Sequence, residues 1–188
     1  AIKDYSLTEE AKKLTGYKKK FVDENVRSFE RNGFALPQEK REELQVLQNR
    51  LSDLTILFNK NIAEVNETLI VTENEIDGLD EEYKKQHSAG DGTYKIGMAY
   101  PSYVPFMKYS KSESARKKLY TLYNNRASDK NLTVLNDLIK VRIEIANLLG
   151  YKTFAEYQTE ERMAKTPKAV WDFENNLIDK VMINGIII

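Results

Sequence analysis

The chain has 188 residues, 41% of them hydrophobic and 31% charged. That is about one domain's length with enough apolar material for a core, and it excludes a disordered or collagen-like chain. Lys plus Arg equals Asp plus Glu at 29 each, so no net field draws in nucleic acid or an anionic membrane; no cysteine and a single histidine exclude disulfides, thiolate metal sites and cysteine nucleophiles.

The start, Ala1–Tyr5, is polar and lacks the apolar stretch of a signal peptide. Without an initiator Met, it is expected of a processed form or an excised piece. No window approaches the roughly 20 apolar residues of a membrane span. Leu7, Ala11, Leu14, Tyr17, Phe21, Val22, Val26 and Phe29 recur at helical spacing and predict one helix over 7–31, weakened at Gly16. Lys18-Lys19-Lys20 lies on its solvated face. Asn32-Gly33 marks a turn, and Pro37 opens the strongest helix, ending near Asn66. Its stripe of Leu44, Leu47, Leu51, Leu54, Phe58, Ile62 and Val65, widened by Ile56 and Leu57, resembles a coiled-coil seam but suits a core-facing stripe better.

Thr68–Thr72 is β-branched and predicts a strand. Ile76–Leu79 is a turn, Asp80 caps a short helix through His87, and Gly90-Asp91-Gly92 turns the chain into a second strand over Thr93–Met98. The two strands suit a small ribbon that needs helices to pack on. Tyr100-Pro101 and Val104-Pro105 are expected to break the chain ahead of a short helix through Tyr109. Ser112 caps the next helix, and Asp129 or Asn131 starts one that Gly150 stops. Thr153 caps Phe154–Met163, and Thr166-Pro167 opens a last helix carrying Val170, Trp171, Phe173, Leu177, Ile178 and Val181. The class is mostly α with one small two-stranded β element near 68–72 and 93–98. The chain reads as a single helical region, 1–188.

Little of this bears chemistry. One imidazole cannot build a His-Glu-x-x-His zinc site, which needs two a helical turn apart. His87, in a polar glycine-bearing stretch, suits a solvated loop better than a general base. The doublets Glu9-Glu10, Glu42-Glu43, Glu81-Glu82 and Glu160-Glu161 suit solvated faces, because adjacent helical residues diverge. Tyr94, Tyr100, Tyr103, Tyr109, Tyr120 and Tyr123 could line a peptide groove, but packing with the hydroxyl at the rim is the commoner use. Gly90-Asp91-Gly92 lacks the Lys-Ser/Thr of a phosphate loop. The residues themselves therefore assign no catalytic, cofactor-binding or metal-ligating site.

Several short stretches carry a resemblance when taken in order. They are Arg31–Leu36, Leu51–Leu54, Phe58–Asn61, Asp77–Leu79, Tyr100–Phe106 with Tyr109, Leu119-Tyr120 through Asn125–Ala127, Leu148–Tyr151 and Glu160–Pro167. Across residues 29–172 their order and spacing resemble the thimet oligopeptidase and neurolysin family of zinc metallopeptidases, most of all its bacterial peptidyl-dipeptidase (dipeptidyl carboxypeptidase) branch. The resemblance implies a multi-helix, neurolysin-like region forming one wall of a channel that admits short peptides. It implies a fragment of a larger enzyme, whose zinc-activated water and catalytic carboxylate lie in a C-terminal domain absent here. This segment would then hold no zinc and be inactive alone, and its partners would be that missing catalytic domain and, through it, short peptide substrates. Neither nucleic acid nor a membrane is expected as a partner. A cytoplasmic location is expected, any signal lying ahead of Ala1. Asn184–Ile188 departs from the family pattern, as a truncation, frameshift or cloning end would, its apolar residues marking lost partner surface. The alternative is a non-catalytic helical protein-interaction module working through the 44–65 stripe.

Overall fold

A computed structural model describes residues 2–183. Ten helices and two strands occur among them: α1 Ile2–Ser6, α2 Glu9–Lys12, α3 Gly16–Arg31, α4 Gln38–Ala63, β1 Leu69–Thr72, α5 Glu81–His87, β2 Thr93–Ile96, α6 Tyr100–Tyr109, α7 Glu113–Asn124, α8 Ser128–Leu148, α9 Phe154–Thr159 and α10 Pro167–Ile183. The mostly α class and the small β element stand as expected. Asn184–Ile188 lies outside the described residues. The chain divides into two compact units: one runs up to Leu54 and resumes at Asn136, the other is Thr55–Leu135. Helices α4 and α8 contribute to both.

In the first unit, Leu44 of α4 packs with Val141 and Ile145 of α8, and Leu47, Leu51 and Leu54 lie against this cluster. The 44–54 part of the long stripe is thus core. Ile56 and Leu57 do not widen it: both are exposed, at 62% and 42%, because they point off the Leu47–Leu51–Leu54 line. The expected helix 7–31 is two helices, α2 and α3, with α1 ahead of them. Thr8 caps α2 by accepting from the Ala11 N–H at 3.2 Å, and α3 begins at Gly16, whose φ of +57° no continuous right-handed helix contains. Downstream, α8 ends in paired bonds from the Gly150 N–H to the Asn147 carbonyl and from the Tyr151 N–H to the Ala146 carbonyl, the 5→2 and 6→1 bonds of a Schellman turn. Thr153 caps α9 through a full capping box with Glu156. Helix α9 stops at Thr159, four residues before Met163, because the chain turns there to present Glu160 and Glu161 to Arg31.

In the second unit, β1 and β2 pair antiparallel, Leu69 opposite Ile96 and Val71 opposite Tyr94. The ladder is shorter than predicted, since β2 ends at Ile96 rather than Met98. One face of the ribbon joins Ile76, Leu79, Tyr83, Phe106, Ala115 and Leu119 in the core. The prolines do not break the chain. Pro101 sits in the first turn of α6, where its missing N–H costs nothing, and Pro105 is accommodated inside the helix. Gly78, with φ +100°, lies so close to α6 that a Cβ would stand 2.1 Å from the Tyr109 carbonyl oxygen. Asn61 of α4 donates to Asn131 of α8 at 2.8 Å, and Asn131 donates to the Phe58 carbonyl at 3.0 Å, so two buried amides satisfy one another.

Candidate functional site

The densest polar cluster of the first unit surrounds Arg31, the last residue of α3. Its side chain is only 11% exposed. The guanidinium donates to the Tyr157 carbonyl at 2.6 Å, to the Tyr151 hydroxyl at 3.0 Å and to the Glu160 carboxylate, while Glu161 lies 3.4 Å from Nε. Tyr151 in turn donates to Glu160 at 2.6 Å, and the Tyr157 ring lies under the guanidinium, 4.5 Å from centroid to Cζ. Glu160-Glu161 is therefore not the diverging pair expected of a helix, because both residues lie past the end of α9 and converge on one cation. The Tyr151 hydrogen bond, with Arg31 beside it, outweighs burial and holds the Glu160 carboxyl below the usual range. Burial pulls Arg31 down, but Tyr151, Glu161 and Glu160 together keep it charged more firmly than usual. Four of its five N–H directions have a stated partner. The cluster holds backbone segments in place, with most of the Arg31 donors spent on Tyr157, Tyr151, Glu160 and Glu161. A cavity of about 590 Å³ opens beside it, lined among others by Asp23, Arg27, Glu30 and Leu149.

The second unit holds the histidine. His87 is not a solvated loop residue: it closes α5, is half-buried, and stacks on Tyr83 at 4.0 Å. Nδ1 lies 2.8 Å from the Tyr83 carbonyl and Nε2 2.8 Å from Ser102 Oγ. In the neutral tautomer Nδ1–H donates to the carbonyl and Ser102 donates to Nε2. Tyr83 also donates to the Ser102 carbonyl at 2.5 Å, so the group links α5 to the start of α6. The Ser102 N–H that could steady an oxyanion is spent on the Ala99 carbonyl at 2.9 Å. No spacing rule signals this Ser–His contact, 15 residues apart. The tyrosines divide. Tyr103 stacks on Tyr123 at 4.0 Å with Arg126 over the far side, Tyr94 bonds to Glu73, and Tyr100, Tyr109 and Tyr120 are more than half exposed. Lys19 and Lys20 pair with Asp23 and Glu24 one turn on.

A zinc centre does not fit these residues. The chain has no cysteine and one histidine, both of whose nitrogens are engaged, and no three metal-ligating side chains come together among the described residues. None of the described helices is long and apolar enough to cross a membrane.

Residues 106–185 match the model of Peptidase family M3. The chain is related to that family. It is 32% identical over 162 residues to the thimet-like oligopeptidase of Dictyostelium discoideum, covering 84% of this chain and 24% of that protein. It is 30% identical to oligopeptidase A of Haemophilus influenzae, covering 97% of this chain and 28% of that protein. To oligopeptidase A of Escherichia coli it is likewise 30% identical, over 92% of this chain and 28% of that one. The M3-related chain thus spans about a quarter of the length of the curated relatives it matches. The stretches that carry the likeness meet in the fold. Arg31, Tyr151 and Glu160 build one cluster, Gly78 packs on Tyr109, and Phe106 is wholly buried.

Proposed function

We propose that the chain is a non-catalytic part, wall and scaffold of the substrate channel, of a zinc-dependent metallopeptidase that cleaves short peptides. One observation carries the reading: the polar residues with the chemistry to act, in the stretches that carry the resemblance and at the single histidine, are spent on holding this fold together. Arg31, Tyr151 and Glu160 tie the end of α3 to the 151–161 segment, and His87 and Ser102 tie α5 to α6. None is left positioned to attack a carbonyl or to stabilise an oxyanion. Relatives several times longer leave room for catalytic residues elsewhere in a parent chain. We further propose release of dipeptides as the mode of cleavage and the cytoplasm as the compartment.

The test is direct. Purified 1–188 should show no chelator-sensitive cleavage of a short fluorogenic peptide, with or without added zinc. Turnover that a chelator abolishes would remove the reading. In the parent enzyme, stepwise loss of two residues from the C-terminus of a blocked peptide supports the dipeptidase mode, and internal cuts refute it.

A further inference from the structure

Helix α10 carries an apolar face without a cover. Trp171, Phe173, Leu177, Ile178 and Met182 are 51–70% exposed. By helical periodicity Trp171, Ile178 and Met182 form one column and Phe173 and Leu177 a second, with half-buried Val170 and Val181 and the exposed Glu174 between them. Lys168, Asp172, Asn175, Asn176 and Asp179 occupy the opposite side. Among the helices, α10 rests on α9. The two columns expose on the order of 600 Å² of apolar surface, at the upper end of what a monomer carries and near one side of a standard interface.

We propose that this face is the docking surface for the remaining polypeptide of an M3-type peptidase. The proposal rests on the function proposed above. Three observations select that occupant. The match to the family model spans residues 106–185 and so covers the whole of α10, which sets the helix inside the family's region and not in an unrelated tail. The relatives have about three-quarters of their length outside the matched region. The helix carries two lysines, Lys168 and Lys180, against three acids, Asp172, Glu174 and Asp179, the second of them on the apolar side, so it lacks the basic face that an anionic membrane would select. A second copy of the chain is the remaining competitor.

The experiment co-expresses tagged 1–188 with Escherichia coli oligopeptidase A from which the aligned segment has been removed. The two should co-purify as a one-to-one complex. Trp171→Asp with Ile178→Asp should weaken that complex at least about 30-fold, as loss of two interface anchors does, while leaving the helical circular dichroism of 1–188 unchanged. Phe34→Asp, at another exposed aromatic, should leave it intact. Failure to co-purify, or binding indifferent to the double substitution, overturns the proposal. So does a 1–188 homodimer that the double substitution splits. If the complex forms through α10 but cleaves no peptide, the channel-wall function falls and the docking surface stands. If it cleaves peptide and ignores the double substitution, the reverse holds.

Discussion

Replacing Arg31 by Ala should destabilise the first unit by about 3 kcal/mol. The Tyr157 carbonyl loses a charge-assisted donor at 2.6 Å, worth roughly 1.5–3 kcal/mol. The Glu160 and Glu161 side chains are 45% and 48% exposed, so water recovers most of their lost pairing and only about 1 kcal/mol is charged to them. The Tyr157 cation–π contact adds roughly 0.5–1 kcal/mol, and water entering the vacated site offsets part of the whole. For a chain of this length that is a fall in thermal midpoint of about 9 °C. Because the chain has two compact units, the midpoint should be accompanied by a local readout. Amide exchange over Tyr151–Thr159 should accelerate, and exchange in β1 and β2 should not. Arg31→Lys should recover less than half of the loss, since an ammonium cannot span Tyr157, Tyr151 and Glu160 at once. A midpoint within 2 °C of the parent, with exchange at 151–159 unchanged, would refute the assignment of Arg31 as the tie.

Gly78→Ala should cost more than about 2 kcal/mol in urea unfolding followed by circular dichroism, because the new Cβ meets the Tyr109 carbonyl and φ is +100°. Thr153→Ala removes half of the α9 capping box and should cost about 1 kcal/mol in the same assay. Glu160 titrates lower folded than its ordinary value of 4.5. Its contribution to stability is therefore full above about pH 4.5 and lost as pH falls through the lower folded value. The thermal midpoint measured from pH 6 to pH 3 should fall more steeply in the parent than in Glu160→Gln. Addition of zinc to 1–188 should leave the midpoint unmoved, checked against a chelator-treated sample, because no three metal-ligating side chains come together among the described residues.

Local signals predicted the fold well where one residue's chemistry decides it. Asp80, Ser112 and Thr153 cap the helices they were expected to cap, and Gly150 stops α8. Errors arose where two local rules compete. Periodicity from Leu7 to Phe29 suggests one helix, but Thr8 and Gly16 reset the chain, and a hydrophobic period survives such breaks because every piece still packs one side. Pro101 and Pro105 look like breakers, but helix starts tolerate the first, and burial of Phe106 in the core outweighs the one bond lost at the second. The contacts that matter most for the candidate site could not be read at all. Arg31 meets Glu160 across 129 residues and Asn61 meets Asn131 across 70, separations over which no spacing rule operates. What the sequence did contain was the residue types: an arginine at a helix end, an asparagine inside an apolar stripe, and a glutamate doublet just past a helix.

The same logic separates scaffold from catalyst. A catalytic group must keep a lone pair, a proton or a donor unspent until substrate arrives, and its folded environment holds it in that state at a cost to stability. Arg31 has four of its five donors committed, His87 has both nitrogens committed, and no buried side-chain nitrogen or oxygen lacks a partner among the described residues. Buried polar capacity among the described residues is consumed internally, whereas apolar capacity is not: Trp171, Phe173 and Ile178 remain 56–70% exposed on α10. An exposed apolar face beside an interior whose polar groups are satisfied is suited to packing against protein, and poorly suited to chemistry on a substrate. That asymmetry makes α10, and not His87 or the tyrosines, the part of the molecule where substitution should change what the chain does while leaving its fold intact.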